Sequence, residues 1–342
     1  MRKLLNTLYV TRENGYLSLD GENIVLSEQG KEIVRLPFSN LESIYCFSYL
    51  GCSPALMGKC AAENVSLCFL TPNGRFLARV VGETKGNVFL RKQQILRFED
   101  GNCKVGVIRS ILTAKLKNSR SLLLRSRRDY PLLDAQGEIS HCLDVLNSNI
   151  DKIAIEGDED VLRGLEGESA KVYFSVFDKL FTQQREDFKM YERTKRPPLD
   201  RVNAMLSFLY TICTNDIASA LECVGLDPYI GIFHTLRPGR VSLACDIMEE
   251  FRSTIDRLVI SAINLKMIQK SDFEVQVGGA VFLNDNGRKK VISIWQDKKR
   301  EIIKHPVLKE KIQFGLFPYV QANFMAKFVR GEIEKYPTLQ VD

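Results

Sequence analysis

Phe76-Leu77-Ala78-Arg79-Val80-Val81-Gly82-Glu83-Thr84-Lys85-Gly86-Asn87-Val88-Phe89-Leu90-Arg91-Lys92-Gln93-Gln94-Ile95-Leu96-Arg97-Phe98-Glu99 contains two different apolar patterns on either side of a polar break. Up to Val81 the pattern is a short β-type run; after Asn87 apolar residues recur at three- and four-residue spacing, the period of a helix. Thr84-Lys85-Gly86-Asn87 reads as the linker between them. Working back towards the N-terminus, runs of the same short type recur at Leu8–Val10, Tyr16–Leu19, Ile24–Leu26, Ile33–Leu36, Ile44–Cys46 and Leu67–Leu70. Asn14-Gly15, Asp20-Gly21, Gln29-Gly30 and Pro72-Asn73-Gly74 supply turn chemistry between them, so this part reads as hairpins. One short helix interrupts the strands, announced by Ser53 as N-cap and Pro54 at the first helical position. Working forward, helical spacing continues over 88–99, 103–128, 138–155, 160–182, 199–223, 243–268 and 319–335. Three loops are expected among these helices, around Lys195–Pro198, from Leu226 to Gly239, and over the polar run Asn284–Lys290. The predicted class is α+β: a β-rich N-terminal domain over residues 1–84, then a larger all-α domain over 85–342.

The 342 residues are 45% hydrophobic and 26% charged, which excludes disordered, collagen-like and disulfide-scaffold classes. No run of about 18 apolar residues is present, so no membrane span is predicted. The start, Met1-Arg2-Lys3-Leu4-Leu5-Asn6, lacks the unbroken apolar stretch of a signal peptide and reads as cytoplasmic. The nine cysteines are scattered with no C-x-x-C pair, as expected of reduced, buried small side chains rather than a disulfide or zinc framework. Lys and Arg (48) exceed Asp and Glu (42), giving +6, which permits a polyanionic partner without demanding one.

No G-x-x-x-x-G-K-[ST], G-x-G-x-x-G between strand and helix, or G-x-S-x-G is present, which argues against nucleotide-dependent and serine-hydrolase chemistry. Only three histidines are available. His141 and His305 read as structural or surface residues. His234 follows Tyr229-Ile230-Gly231-Ile232-Phe233 in a Gly/Pro-rich loop that leads into a helix carrying Asp246, Glu249 and Glu250 at i, i+3 and i+4. Asp246 can share a face with either glutamate, and acids on one face repel unless a cation lies between them. The alternative is that Glu249 and Glu250 make a solvated face paired with Arg252 and neighbours such as Lys266.

Glu166, in Leu162-Arg163-Gly164-Leu165-Glu166-Gly167-Glu168, lies at the edge of the buried face set by Leu162 and Tyr173, where an unpaired carboxylate is expensive. Gly164 and Gly167 each cost about 1 kcal/mol inside a helix, which suggests close approach of another backbone or a ligand. The alternative for Glu166 is an ion pair with Arg163 or another arginine. Basic residues form three blocks: Arg109–Arg128, Arg185–Arg196 and Arg288–Lys304. Alone they are weak evidence for nucleic acid, because charge runs are usually solvated.

In order along the chain, Leu162–Gly167 with Ala170 and Tyr173-Phe174, Arg196-Pro197-Pro198 with Asn203–Tyr210, Gly231–His234 with Pro238-Gly239-Arg240, Ser242–Arg252, and Gln321-Ala322 resemble the CRISPR-associated spacer-acquisition endonucleases, also called adaptation integrases. The resemblance spans essentially the whole chain and looks closest to the branch found with type I-C systems. It implies a divalent-metal site, Mn²⁺ or Mg²⁺, with ligands on Glu166, His234 and Glu249. Many relatives carry Asp at the third position; Glu249 stands there instead, and Asp246 one turn earlier is ligand, neighbour of a ligand, or helper.

The implied reaction is transesterification of double-stranded DNA, in which prespacer 3′-OH ends attack a CRISPR repeat. The implied assembly is a homodimer, two copies of which flank a dimer of a small ferredoxin-like adaptation partner in a heterohexamer, with the β-rich domain dimerising. Arg240 and Arg252, flanking the site, are the chosen phosphate contacts. The competing expectations are a stand-alone metal-dependent nuclease on branched DNA and a non-catalytic DNA-binding scaffold.

Overall fold

The computed structural model describes residues 6–12, 14–47, 50–72, 74–82 and 88–340; the linker predicted at 84–87, and with it the 84/85 boundary, lies outside the described residues. The N-terminal region holds β1 (Thr7–Val10), β2 (Gly15–Asp20), β3 (Asn23–Glu28), β4 (Lys31–Pro37), β5 (Ser43–Cys46), α1 (Pro54–Glu63), β6 (Ser66–Leu70) and β7 (Phe76–Val80). Ser53 caps α1 through its hydroxyl, which accepts from the Leu56 N–H at 3.3 Å, and Pro54 starts the helix. The strands β2-β3-β4 form an antiparallel meander, as the Asp20-Gly21 and Gln29-Gly30 turns require. β6 and β7 also pair as an antiparallel hairpin, whereas the pairing of β1, β5 and β6 departs from the hairpin expectation. These four strands form a sheet in the order β1-β5-β6-β7, in which β5 pairs parallel with both β1 and β6. Parallel partners need long connections, which the meander and α1 provide.

That sheet is covered on both faces. Alternation along a strand sends successive side chains to opposite sides, and in β5 and the residue after it Ile44 and Cys46 join the core beneath α1 and the meander, while Tyr45 and Phe47 join the core of the helical region. In β6, Leu67 goes one way and Cys68 and Leu70 the other. The helical face is also joined by polar contacts. Tyr45 donates to Asp216 at 2.5 Å, Lys299 reaches the other Asp216 oxygen at 3.3 Å, and Ser66 and Ser219 share a 2.8 Å hydrogen bond.

The helical region comprises α2 (Val88–Glu99), α3 (Gly101–Asp129), α4 (Glu138–Ile155), α5 (Glu159–Ser175), α6 (Arg201–Cys223), α7 (Ser242–Met248), α8 (Arg252–Asn264), β8 (Phe273–Val275), β9 (Val281–Leu283), α9 (Asp285–Arg300), β10 (Ile302–Lys304), β11 (Lys311–Gln313) and α10 (Phe317–Arg330). Two small hairpins, β8-β9 and β10-β11, are therefore set among the helices. α6 is long and apolar enough to cross a membrane by length and composition, but 72% of its most apolar window is buried in the protein: it is the central core helix. Asn284–Lys290, expected as a loop, instead opens α9. The Asn284 side chain accepts from the Gly287 N–H at 2.9 Å and caps the helix, and Gly287 is required because a Cβ there would meet the Asp272 carbonyl. The helix expected over 243–268 breaks at 249–251, a break that shapes the site described next.

Six of the nine cysteines are buried. His141 is exposed. His305 is buried against Phe317 with ring centroids 4.6 Å apart, its Nδ1 accepting from the Val307 and Leu308 N–H groups, and burial pushes its pKa down to about 4. His305 is thus structural and His141 a surface residue, the two alternatives expected for them.

Candidate active site

Between α7 and α8 the backbone tightens: the Glu249, Glu250 and Phe251 N–H groups bond to the carbonyls of Asp246, Ile247 and Met248, three residues back. At three residues per turn, positions i and i+3 eclipse. Asp246 and Glu249 are thus brought to one side and Glu250 is turned away. Neither glutamate is on a solvated face; Glu249 is 3% exposed and Glu250 fully buried. Glu250 accepts from Tyr336, Gln321 and the Leu339 N–H, which anchors α10 and the segment after it, while burial pushes its carboxyl up to about 8 against the pull of those three donors. Its role is architectural.

His234 is carried by the 226–241 loop, which is held at several points. Buried Gln94 of α2 donates to the Asp227 and Ile230 carbonyls at 2.8 and 3.0 Å and accepts from the Asp227 N–H. Arg163 of α5 donates to the Phe233 carbonyl at 3.1 Å and lies over its ring. Asp246 accepts from the N–H groups of Ile232, Phe233 and His234 and from His234 Nδ1 at 2.6 Å. Because a carboxylate only accepts, this contact places a proton on Nδ1 and turns Nε2 towards Glu249, 3.8 Å from its Oε1. Asp246 is fully buried and both its oxygens are occupied, so it acts by positioning the histidine.

Gly231 permits the loop to lie against α7, since a Cβ there would stand 2.5 Å from Ser242 Cβ and 3.0 Å from Asp246 Oδ2. Gly231→Ala should therefore destabilise the fold by about 2 kcal/mol through overpacking and displace His234, which thermal melting and the His234 imidazole NMR resonances would register together. Gly164 and Gly167 behave otherwise: a Cβ at either would meet nothing within 4 Å, so the expected backbone approach is absent.

Glu166, on α5, pairs with neither Arg163 nor any other arginine among the described residues. Arg163 is engaged with Glu159 and Asp160, and Glu166 instead contacts the Lys115 ammonium, which also lies 2.7 Å from Glu249 Oε2. On its other side Glu249 receives both Nε and Nη2 of Arg252 at 2.7 Å, and the Arg252 guanidinium rests over the Tyr210 ring, 4.8 Å from its centroid. Burial pushes the Glu249 carboxyl up, but Arg252, Lys115 and His234 outweigh it and hold it well below the usual carboxylate range. Beneath the ring, Tyr210 and Tyr173 both donate to buried Asp256, whose carboxyl burial pushes up to about 6.

A cavity of about 520 Å³ opens beside Glu166 and is lined by Lys115, Tyr191, Arg193, Lys195 and Arg252, among others. Of the three basic blocks, the first, through Lys115, and the middle one, through Arg193 and Lys195, thus reach the site. Arg193 is bound to Asn203 and Ser207. Lys195 has no carboxylate partner among the described residues, and burial, followed by repulsion from Arg252 and Arg193, lowers its pKa. Much of the third block is paired within the fold, Arg288 with Asp285, Lys290 with Asp272 and Lys298 with Glu301. Arg240 is half-buried with no carboxylate partner among the described residues, whereas Arg252 is committed to Glu249.

Among the described residues, no three Asp, Glu, His or Cys side chains already stand at ligating distance of one point. The donor set nonetheless fits a divalent cation. Two carboxylates and an imidazole nitrogen from three separate elements converge, and a positive group, the Lys115 ammonium, already stands between the carboxylates. Mixed oxygen and nitrogen donors of this kind suit Mn²⁺ or Mg²⁺ better than a closed zinc site.

A family model described as CRISPR associated protein Cas1 matches residues 8–297. A CRISPR-associated endonuclease Cas1 of Chlorobaculum tepidum is 44% identical over 338 residues, 98% of each chain, and one of Rhodospirillum rubrum is 43% identical over 343 residues with the same coverage. Among solved structures, a casposase bound to integration product aligns with a TM-score of 0.84 at 18% identity, covering 99% of this chain and 95% of that one. A CAS1 protein from Thermotoga maritima aligns with a TM-score of 0.82 at 20% identity, covering 98% and 99%. At these identities the structural matches speak to the β-then-α fold.

Proposed function

The chain belongs to the CRISPR-associated protein Cas1 family, and from that premise we propose that it is a metal-dependent DNA integrase of CRISPR adaptation, joining prespacer 3′-OH ends to the CRISPR repeat by transesterification. The observation that carries the metal-dependent reading is the convergence of Glu166, His234 and Glu249 from α5, the 226–241 loop and the α7–α8 break. These three would hold the ion, Mn²⁺ or Mg²⁺. When bound, it supplies Lewis-acid polarisation of the phosphodiester and neutralises developing charge.

The chain's own residues do the rest. Asp246 fixes the His234 tautomer so that Nε2 presents its lone pair. Arg252, stacked on Tyr210, orients the Glu249 carboxylate through two parallel hydrogen bonds. Lys195 and Arg240 are our assignments for phosphate contacts, because neither cation has a carboxylate partner among the described residues; a phosphate beside Lys195 also relieves its repulsion from Arg193 and Arg252. Arg252 acts through Glu249 in this reading. Exposed Tyr191 at the cavity mouth offers a ring on which a base can stack.

The assembly is part of the proposal. One of the solved relatives is a Cas6-RT-Cas1–Cas2 complex, and we assign to this chain a small ferredoxin-like partner of that kind, a homodimer, and the heterohexamer they build, acting on double-stranded DNA in the cytoplasm; the type I-C branch belongs to the same proposal. The outer edge strand β4, with Ile33 and Val34 about 40% exposed, is the surface we assign to dimerisation.

The test mixes the protein, with and without the partner, with a supercoiled CRISPR-array plasmid and a labelled short duplex, in Mn²⁺, Mg²⁺ or chelator. Covalent transfer of label that needs metal and disappears in His234→Ala is the expected result. Cutting without joining would instead make the protein a nuclease of branched DNA, and binding with neither reaction would make it a scaffold.

A further inference from the structure

We propose that Lys115 is a built-in competitor of the divalent ion: its ammonium bridges Glu166 and Glu249 and must withdraw from them for the ion to bind. This rests on the reading of Glu166, His234 and Glu249 as the metal ligands. Lys115 projects from the middle of α3, a 29-residue helix packed against α4, α5 and α8, and only 11% of its side chain is exposed. Its backbone is therefore fixed while its four-carbon stem can swing.

Three observations make the ammonium the exchangeable group. First, it is the only basic partner of Glu166 among the described residues, since Arg163 is turned to Glu159 and Asp160. The two carboxylates would otherwise face one another with no cation between them. Second, Glu249 does not depend on it, because Arg252 already meets both Glu249 oxygens from the opposite side. Arg252, a planar fork held over the Tyr210 ring, is built to stay; Lys115, a point charge on a flexible stem, is built to leave. Third, there is room to leave into, because Lys115 and Glu166 both line the 520 Å³ cavity. That cavity also holds Lys195 and Arg193, so the withdrawn ammonium is best accommodated when an anion such as a DNA phosphate is there too. The arrangement keeps the carboxylates together before the ion arrives and discourages the ion from binding in the absence of substrate.

The experiment measures Mn²⁺ binding to the purified full-length protein without DNA, following the free-ion signal by electron paramagnetic resonance, together with thermal melting with and without Mn²⁺. Removing the competing charge in Lys115→Met should tighten Mn²⁺ binding ~10-fold or more, which corresponds to about 1.4 kcal/mol of competition removed. The metal-free variant should melt below the parent protein, and Mn²⁺ should raise its melting temperature more than it raises the parent's. Lys115→Arg, which keeps the charge, should bind Mn²⁺ no more tightly than the parent, and Glu166→Gln should bind it far more weakly. Should Lys115→Met fold poorly, Lys115→Gln, which is uncharged but can still donate to Glu166, serves the same comparison. Lys115→Met or Lys115→Gln binding Mn²⁺ no tighter than the parent, with Glu166→Gln still defective, would overturn the competitor and leave the ligand set standing. Equal binding by the parent and Glu166→Gln would remove the ligand set, and the competitor with it.

Discussion

Glu166→Gln should lose at least ~10²-fold of the metal-dependent strand-transfer rate, the scale set by removing one stabilising group from a reacting centre, while duplex DNA binding stays within about twofold of the parent. The expectation follows from what the substitution leaves alone. Glutamine keeps the shape and the α5 helix but removes the negative charge that faces Lys115 and the cavity, and it touches none of the groups assigned to phosphate. Steady-state transfer of labelled DNA, beside a filter-binding or anisotropy titration at fixed salt, separates the two effects; the salt must be fixed because phosphate contacts weaken steeply with ionic strength. A parallel loss of DNA binding and of melting temperature, with transfer falling only in proportion, would show Glu166 to be structural.

Asp246→Ala should be the most damaging single change to the fold near the site. It strands three backbone N–H groups and the His234 Nδ1–H inside the protein. Each buried donor left unsatisfied costs about 1–3 kcal/mol, with partial relief from water entering the space, so a net loss of about 4 kcal/mol is expected, read as a lowered urea midpoint at unchanged slope. Asp246→Asn keeps the volume and can still accept at one oxygen, so it should recover much of the stability. Its amide nitrogen donates where a carboxylate accepts, and His234 Nδ1 is the one side-chain neighbour that can turn into an acceptor for it, the others being backbone N–H groups; the amide turned that way inverts the His234 tautomer, and strand transfer should therefore remain low. Stability regained without activity is what distinguishes a positioning residue from a merely structural one. Equal recovery of both would place the His234 tautomer outside the mechanism.

The sequence carried the site unevenly, for reasons that lie in how each contact is made. His234 was legible because a lone histidine ends an apolar run in a Gly/Pro-rich loop, and Glu166 because a carboxylate at the edge of an apolar helix face demands a partner. The identity of that partner was not legible. Lys115 lies 51 positions earlier on another helix, among six other basic residues with the same local appearance. Gln94, which fastens the His234 loop from 133 positions away, carries no local signal, since a glutamine on a helix is ordinary until it is found buried.

The acids at 246, 249 and 250 were read on a regular helix, and the i→i+3 bonds that break it fall in a stretch with no Gly or Pro to announce them. Asn284–Lys290 was misread because its polarity suggested a loop, although Asn284 is a good N-cap and the apolar stripe that follows is helical. The strand positions were legible from their composition, but parallel pairing between β1, β5 and β6 was not, because two strands far apart in sequence need no turn signal between them.

The sheet that faces two cores has a consequence for which lengths of chain the fold can tolerate. Tyr45 and Phe47 answer to the helices while Ile44 and Cys46 answer to α1 and the meander, and a shift of one residue exchanges the two sets. A single inserted or deleted residue in β5 would turn Tyr45 away from Asp216 and push an aromatic ring into the space of a cysteine or isoleucine. Point substitutions at these positions can be absorbed one side at a time, but a change of length injures both halves at once. Variation in chain length is thus confined to the connections, and the short inner strand is the frame in which the rest of the chain is read.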